Sequence, residues 1–186
     1  MSFPRQIQTA RLVLRDPRPA DAPAVFAFAS DPAVLRHLGW RPHADEADSA
    51  RHIGHELHRW LKGSAWSWVL AWREGPQAGQ VIGQIELQPQ SHPAAEAHHL
   101  RLGYLLARAH WGQGLMGEAV AAVLDAALAQ PAVWRVDALC DLDNAASARL
   151  LSRLGWQAEG VMRRAIVHPQ VSDVPRDVSV WARVKG

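Results

Sequence analysis

The segment from His110 to Ala119 constrains the fold most, because it places three glycines between two apolar stretches. The stretch before it, Leu100 to Ala107, predicts a strand, and Leu115 to Ala129 predicts a helix. Glycine lets the backbone approach an anion closely, and the free amides at a helix start point toward it. The layout therefore predicts a phosphate-binding turn, although a turn between strand and helix also uses glycine where nothing binds.

Composition narrows the class of protein. The 186 residues, 48% hydrophobic and 20% charged, are typical of a globular protein, and we expect one domain over residues 1–186. The formal net charge of +2 gives no nucleic-acid footprint, so no direct nucleic-acid binding is expected. Cys140 stands alone, which excludes an internal disulfide or a multi-cysteine metal site. No apolar run approaches the roughly 18 residues of a membrane span, and we expect a cytoplasmic protein without metal.

Hydrophobic periodicity predicts the order β-α-α-β-β-β-α-β-α-β-β. The predicted strands cover residues 7–15, 66–72, 81–87, 98–107, 134–139, 157–167 and 177–184. The long predicted helices cover residues 45–62, 115–129 and 145–154, with two short helices near residues 19–38. Most strands follow one another through turns, and a helical crossover comes only late. We therefore predict an α/β fold with a central, mostly antiparallel mixed sheet of about seven strands, flanked by helices.

The glycine spacing alone admits a dinucleotide site. Gly112, Gly114 and Gly117 satisfy G-x-G-x-x-G, and Asp137 and Asp141 lie near the distance expected for a ribose-binding acid. However, the motif follows meandering strands rather than opening a parallel sheet, which argues against an oxidoreductase. No Gly-Lys-Ser or Gly-Lys-Thr follows the turn, so a P-loop is excluded.

Several segments together resemble one family. They are Leu102-Gly103-Tyr104, Trp111 to Ala119, Asn144-Ala145-Ala146-Ser147 and Leu150 to Trp156, and the likeness begins at Thr9-Ala10-Arg11-Leu12. In this order they are similar to the GCN5-related N-acetyltransferases (GNAT), and more narrowly to the branch of the ribosomal-protein N-terminal acetyltransferases RimJ and RimL. The resemblance implies the GNAT fold, acetyl-coenzyme A as donor and an amine as acceptor.

The same resemblance implies where coenzyme A binds. The family's Q/R-x-x-G-x-G/A turn falls on Trp111 to Met116, with Trp111 replacing a polar residue and Met116 a small one. Met116 either narrows the cradle or turns its side chain aside. An amide near Leu105 or Leu106 is expected to bond the pantetheine arm and stabilise an oxyanion. The implied cofactor-binding set is Leu105, Leu106, Ala107, Gly112, Gln113, Gly114, Leu115, Met116, Gly117, Asn144 and Ser147.

The catalytic residues of the family are only partly matched. Many members carry a tyrosine where this chain has Leu151, so Ser147 becomes the candidate proton donor, with capping or helix packing as the alternative role. Many also carry a glutamate where this chain has Arg101, which cannot accept a proton. Glu86 on the neighbouring strand is our candidate base, the alternatives being His99 or a solvated role for Glu86.

The acceptor is not identified by sequence. His37, Trp40, Arg41 and His99 are predicted to wall its pocket. A protein N-terminus, ribosomal or other, and a small-molecule amine such as an amino acid or a polyamine all stay open, as does a monomer or homodimer. A coenzyme A binding or regulatory module without catalysis is the alternative function.

Overall fold

The computed structural model describes residues 1–90 and 97–186. Its strands in chain order are β1 (Gln6–Gln8), β2 (Leu12–Arg15), β3 (Trp66–Trp72), β4 (Val81–Pro89), β5 (His99–Leu106), β6 (Arg135–Asp141), β7 (Gln157–His168) and β8 (Ser172–Val184). Its α-helices are α1 (Ala22–Ala29), α2 (Pro32–Leu35), α3 (Glu46–Lys62), α4 (Leu115–Leu128) and α5 (Ala145–Arg153).

The strands form one sheet in the order β1-β2-β3-β4-β5-β6-β8-β7. The neighbours β5 and β6 are parallel and the other neighbours are antiparallel, which confirms the predicted mostly antiparallel mixed sheet. The described residues form eight strands rather than about seven. The extra strand arises because Thr9 turns the chain: its amide donates to the Leu12 carbonyl at 2.9 Å, and its hydroxyl accepts from the Leu12 amide at 2.9 Å. The strand predicted over residues 7–15 is thus a hairpin.

Helices cover both faces of the sheet, as predicted. Val25 of α1 and Ile53 of α3 pack with Val69 of β3 on one face. Val123 of α4 and Leu151 of α5 belong to the larger core on the other face, and both are fully buried. Alternate residues of a strand point to opposite faces, so each central strand contributes to both cores.

Most other predicted helix and strand bounds hold to within a few residues, whereas β8 begins at Ser172, five residues before the predicted residue 177. Helix α3 begins after Asp45, whose carboxylate accepts from the Asp48 amide, and ends at Gly63 with a φ of 64°. Strand β4 runs to Pro89, two residues into the loop predicted over 88–95, and the rest of that prediction from residue 91 lies outside the described residues. No helix among residues 1–90 and 97–186 combines the length and apolarity needed to span a bilayer.

The parallel pair β5 and β6 separates soon after it begins. Its register runs from His99 opposite Arg135 to Arg101 opposite Asp137 and then stops. Strand β5 continues to Leu106 beside β4, while β6 continues to Asp141 beside β8. Within the described residues, the side of β5 that faces β6 therefore has no partner strand over residues 102–106. We call this opening the β5–β6 gap.

Gly83 allows β4 to stay against β5 along the gap. A Cβ at Gly83 would lie 2.6 Å from the Leu105 carbonyl oxygen, closer than side-chain atoms approach backbone. Gly83→Ala should therefore lower the free energy of unfolding by about 2 kcal/mol, a typical cost of overpacking. At exposed Gly54 in α3, where a Cβ meets nothing within 4 Å, Gly54→Ala should raise that energy by about 1 kcal/mol. Urea unfolding measures both, and effects of equal sign would contradict this account of Gly83.

Candidate functional site

The predicted glycine turn is present and open. Gly112 and Gly114 have φ values of 74° and 75°, a left-handed backbone that glycine adopts without strain. The first bond inside α4 runs from the Glu118 amide to the Gly114 carbonyl, at 3.1 Å. The amides of residues 115–117 therefore precede the helical bonds, as the first amides of any helix do. Such amides at the positive end of a helix suit an anion.

Met116 does not enter this turn. Its side chain is 6% exposed and packs in the main core with Ala119 and Val120. Of the two outcomes expected for a large residue here, the structure has the second, in which the side chain turns aside. The backbone of the turn is therefore as accessible as it would be with a small residue.

Ionic hydrogen bonds from a distant segment hold the turn from outside, and no sequence pattern predicts them. The Glu118 carboxylate accepts from the Arg11 amide at 2.7 Å, from Arg11 Nε at 2.8 Å and from the Thr9 hydroxyl. Arg11 Nη1 also donates to the Gln113 carbonyl at 2.9 Å. Burial alone would raise the pKa of Glu118, but the bonds from Thr9 and Arg11 outweigh it and lower that pKa. The connection between β1 and β2 thus holds both the glycine turn and the start of α4 in place.

Backbone directions along β5 identify the free amide. The Ala107 amide donates to Ile82 of β4 at 2.8 Å, while the His98 carbonyl accepts from the Trp134 and Arg135 amides on the β6 side. The backbone N–H and C=O groups of successive strand residues point to opposite edges of the strand. Those of Leu105 therefore point toward β4, and those of Tyr104 and Leu106 point into the β5–β6 gap. The amide expected near Leu105 or Leu106 is therefore that of Leu106. Its carbonyl accepts from Trp111 Nε1 at 2.7 Å, which holds a half-exposed indole at the end of the gap.

Two hydroxyls meet where α5 begins. The Asn144 side chain caps α5 by accepting from the Ser147 amide at 3.1 Å, and the Ser147 and Tyr104 hydroxyls share a 2.5 Å hydrogen bond. Burial raises the pKa of Tyr104 to about 12, although the bond with Ser147 opposes the shift. Leu151, in the place of the family's tyrosine, is fully buried. The sequence predicted Ser147 but not its pairing with Tyr104, because the strand pattern presented Tyr104 as a core residue.

A cavity of about 230 Å³ opens on the α3 face of the sheet. Glu86, Gly103 and Trp40 line it; so do Leu38, His52, Glu56, Arg59, Gln84, Ile85, Gln88, Tyr104 and Leu105. Of the two roles open to Glu86, the structure has the carboxylate lining a cleft. Gly103 lies opposite Glu86 in the strand register, and a Cβ there would lie 3.4 Å from Glu86 Oε1. The missing side chain leaves room beside that carboxylate.

Glu86 belongs to a charged trio within the cavity. Arg59 Nη1 lies 3.2 Å from Glu86 Oε2 and 3.2 Å from Glu56 Oε1. Burial, reinforced by the nearby Glu56 charge, raises the pKa of Glu86 above its usual 4.5, while Arg59 opposes the shift. Sequence reasoning missed Glu56 and Arg59, because polar residues on α3 are typical of a solvated helix face.

Glu86 and the Tyr104–Ser147 pair lie on opposite faces of the sheet. Glu86 contacts Arg59 of α3, whereas Tyr104, which directly follows the register partner of Glu86 on β5, contacts Ser147 of α5. The β5–β6 gap lies beside both. A group held in the gap would therefore have a carboxylate toward one face and hydroxyls toward the other.

Three of the four residues predicted for the acceptor pocket lie outside this cavity. His37 lies 3.8 Å from the buried Asp141 carboxylate, and burial lowers its pKa. Arg41 is an exposed side chain 3.8 Å from Asp173. His99 Nε2 lies 2.9 Å from Asp137, and burial lowers its pKa too. Only Trp40 of the predicted four lines the cavity. His37 and Arg41 were predicted from their proximity to Trp40 in sequence, which does not decide which way a side chain points, and His99 was predicted as an alternative base.

Comparison with known proteins gives consistent matches. A family model described as "Acetyltransferase (GNAT) domain" matches residues 11–157. The N-acetyltransferase YoaA of Bacillus subtilis (strain 168) is 29% identical over 182 residues, covering 96% of each chain. The crystal structure of RimL, a ribosomal L7/L12 alpha-N-protein acetyltransferase in complex with coenzyme A, has a TM-score of 0.82 at 21% identity and covers 96% of this chain and 97% of RimL.

A second solved structure has the same fold and carries the acetylated donor. The microcin C7 self-immunity acetyltransferase MccE, in complex with acetyl-coenzyme A and AMP, has a TM-score of 0.84 at 18% identity. The alignment covers 98% of this chain and 97% of MccE. At these identities the two structures show a shared fold.

Proposed function

Because the chain belongs to the GNAT acetyltransferase family, we propose that it transfers an acetyl group from acetyl-coenzyme A to a primary amine by direct attack. The observation that carries the proposal is the β5–β6 gap, with the glycine turn at its end. Family membership and the mostly antiparallel sheet leave no place for the dinucleotide interpretation. The coenzyme A and acetyl-coenzyme A of RimL and MccE support the choice of donor.

The residues of the gap and turn fit coenzyme A. The amides of residues 115–117 and the left-handed Gly112 and Gly114 would hold the pyrophosphate. Tyr104 and Leu106 would bond the pantetheine arm through the backbone, as an added strand does. Asn144 uses its side-chain oxygen in the cap of α5, which leaves its amide group to donate to the arm. Acetyl-coenzyme A, when bound, supplies a thioester carbonyl open to attack by an amine.

Glu86 is proposed as the base. An ammonium ion cannot attack until it loses a proton, and a carboxylate with a raised pKa accepts that proton more readily than an ordinary one. The cavity leaves room beside Glu86 at Gly103, next to the β5–β6 gap. The amine then lies between the base and the position of the thioester.

Tyr104, oriented by Ser147, is proposed as the acid. With a pKa of about 12 its hydroxyl stays protonated at neutral pH and can donate to a departing thiolate. As the new C–N bond forms and the C–S bond breaks, Tyr104 protonates the departing thiolate. The ammonium nitrogen loses two protons in all, the first to Glu86 before attack; one of the two restores the Tyr104 hydroxyl, and the other leaves to solvent. Tyr104 and Ser147 together take the role of proton donor, which the Leu151 side chain cannot fill.

Among acceptors, a protein N-terminus is supported by the likeness to RimL, a ribosomal L7/L12 alpha-N-protein acetyltransferase. A small-molecule amine is the other candidate. Release of free thiol from acetyl-coenzyme A, followed with a panel of peptides and amines, tests the proposal. Binding of coenzyme A without turnover of any amine would instead support a non-catalytic module.

Loss of the proposed base should affect the rate far more than cofactor binding. Glu86→Gln should lower kcat about 100-fold with little change in coenzyme A affinity, because an amide cannot accept the proton. Ionised Glu86 is the active form, so wild-type kcat/KM should fall as pH drops through a pKa above 4.5, and the variant should lack that limb. Glu74→Gln, at an exposed side chain in the β3–β4 turn, is the control. A wild-type rate for Glu86→Gln would show that Glu86 is not the base.

Removing the proposed acid should slow the departure of the thiolate. Tyr104→Phe should lower kcat about 100-fold, and Ser147→Ala, which removes only the orienting partner, about tenfold. Exposed Ser152 on the same helix offers a matched control, and Ser152→Ala should stay within about twofold of wild type. Steady-state thiol release measures all three. Normal turnover in Tyr104→Phe would assign proton donation to another group.

A further inference from the structure

The side chains that line the cavity on the α3 face carry unequal numbers of negative and positive charges. Among the described residues that line it, Glu56 and Glu86 are the carboxylates and Arg59 is the guanidinium. Arg59 Nη1 lies 3.2 Å from an oxygen of each carboxylate, so a single cation is shared by two anions. These three charged groups together leave the lining with an excess of one negative charge.

Glu56 is buried in the wall of the cavity rather than exposed at its rim. The residue is 3% exposed and accepts a hydrogen bond from the buried Ser67 hydroxyl of β3. His55 Nδ1 approaches Glu56 Oε1 at 3.4 Å from the exposed side of α3. A carboxylate is buried to this extent only when hydrogen bonds or a cation offset the free-energy cost of removing it from water. Here Arg59 serves both carboxylates, and a cationic ligand is the natural second partner.

We infer that the acceptor is a primary amine that enters as a monocation and carries no carboxylate beside its amine. The inference rests on the proposed function. An ammonium restores the charge balance, and transfer of its proton to Glu86 keeps that balance while freeing the amine. A free amino acid would bring a carboxylate next to Glu86 and Glu56, and Arg59 is already engaged with both. Like charges so placed disfavour binding.

The shape of the cavity agrees with this class. Its volume is about 230 Å³, and Leu38, Trp40 and Leu105 give it apolar walls. The Trp40 ring stacks on His52 with centroids 5.7 Å apart and an interplanar angle of 23°. An indole wall suits both a cation and a short carbon body. A small amine and the first residue of a peptide share this chemistry, because the peptide bond replaces the carboxylate of a free amino acid.

Matched acids and amides test the inference. Thiol release at pH 8 with saturating acetyl-coenzyme A is measured for serine against serinamide and for phenylalanine against phenylalaninamide. Rates are expressed per ammonium ion, the form proposed to enter the cavity, because the carboxamide lowers the basicity of the amine itself. We expect kcat/KM for each amide to exceed that of its acid by roughly tenfold or more. A seryl peptide and n-propylamine in the same assay distinguish a protein N-terminus from a small-molecule amine.

Variants connect the preference to the cavity. Glu56→Gln removes the excess charge and frees Arg59, so the amide-to-acid ratio should fall at least threefold, and this comparison cancels the basicity of the amines. Glu46→Gln, exposed at the start of α3, should leave the ratio unchanged. Equal rates for acids and amides in the wild-type protein, or an unchanged ratio in a folded Glu56→Gln, would overturn the inference while the acetyltransferase function stands. If no amine is turned over although coenzyme A binds, the proposed function fails, and the inference with it.

Discussion

An ion pair on a buried carboxylate marks the point where the sheet opens, and the rest of the site is arranged around that point. Arg101 donates from Nε and Nη2 to the two oxygens of Asp137, both at 2.8 Å, and Asp137 is 2% exposed. These residues are also the last register pair of β5 and β6. A carboxylate so buried requires a partner, and a two-pronged guanidinium fixes both its position and its orientation. Arg101 thus has a structural role at the position where the family resemblance led us to expect a glutamate.

The opening divides the proposed chemistry between two faces of one sheet. Carboxylates lie toward α3 and hydroxyls toward α5, because alternate residues of β4 and β5 project in opposite directions. A direct hydrogen bond between the base and the acid would occupy both groups. In the proposed reaction, the backbone of β5 holds the two groups apart, so that Glu86 acts on the amine and Tyr104 on the leaving thiolate. The gap lets one extended donor reach both.

Local signals predicted the parts of the site that depend on neighbours in sequence. The glycine turn, the start of α4 and the Asn144 cap follow from residue types at short spacing, and all are present. Even the direction of Met116 could have been predicted, since it lies on the same helix face as Val120 and Val123, which are buried. That face is apolar at intervals of three and four residues, which is typical of a core stripe.

Contacts between distant segments could not be predicted from one sequence. The bond from Thr9 to Glu118 joins residues 109 apart, and nothing near either residue indicates the other. Glu56 and Arg59 look like ordinary helix-surface residues until β4 places Glu86 against them. Conversely, His37 and Arg41 lie near Trp40 in sequence, yet the chain directs them to Asp141 and Asp173. Burial and contact partners depend on tertiary structure, so the sequence near each residue could not predict them.

Amide hydrogen exchange, with and without coenzyme A, tests the role of the β5–β6 gap most directly. The account predicts that the Tyr104 and Leu106 amides exchange readily in the free protein and become protected when coenzyme A binds. The Gly103 and Leu105 amides, already directed toward β4, should be slow in both states. Binding of coenzyme A that leaves the exchange of Tyr104 and Leu106 unchanged would show that the cofactor does not lie in the gap.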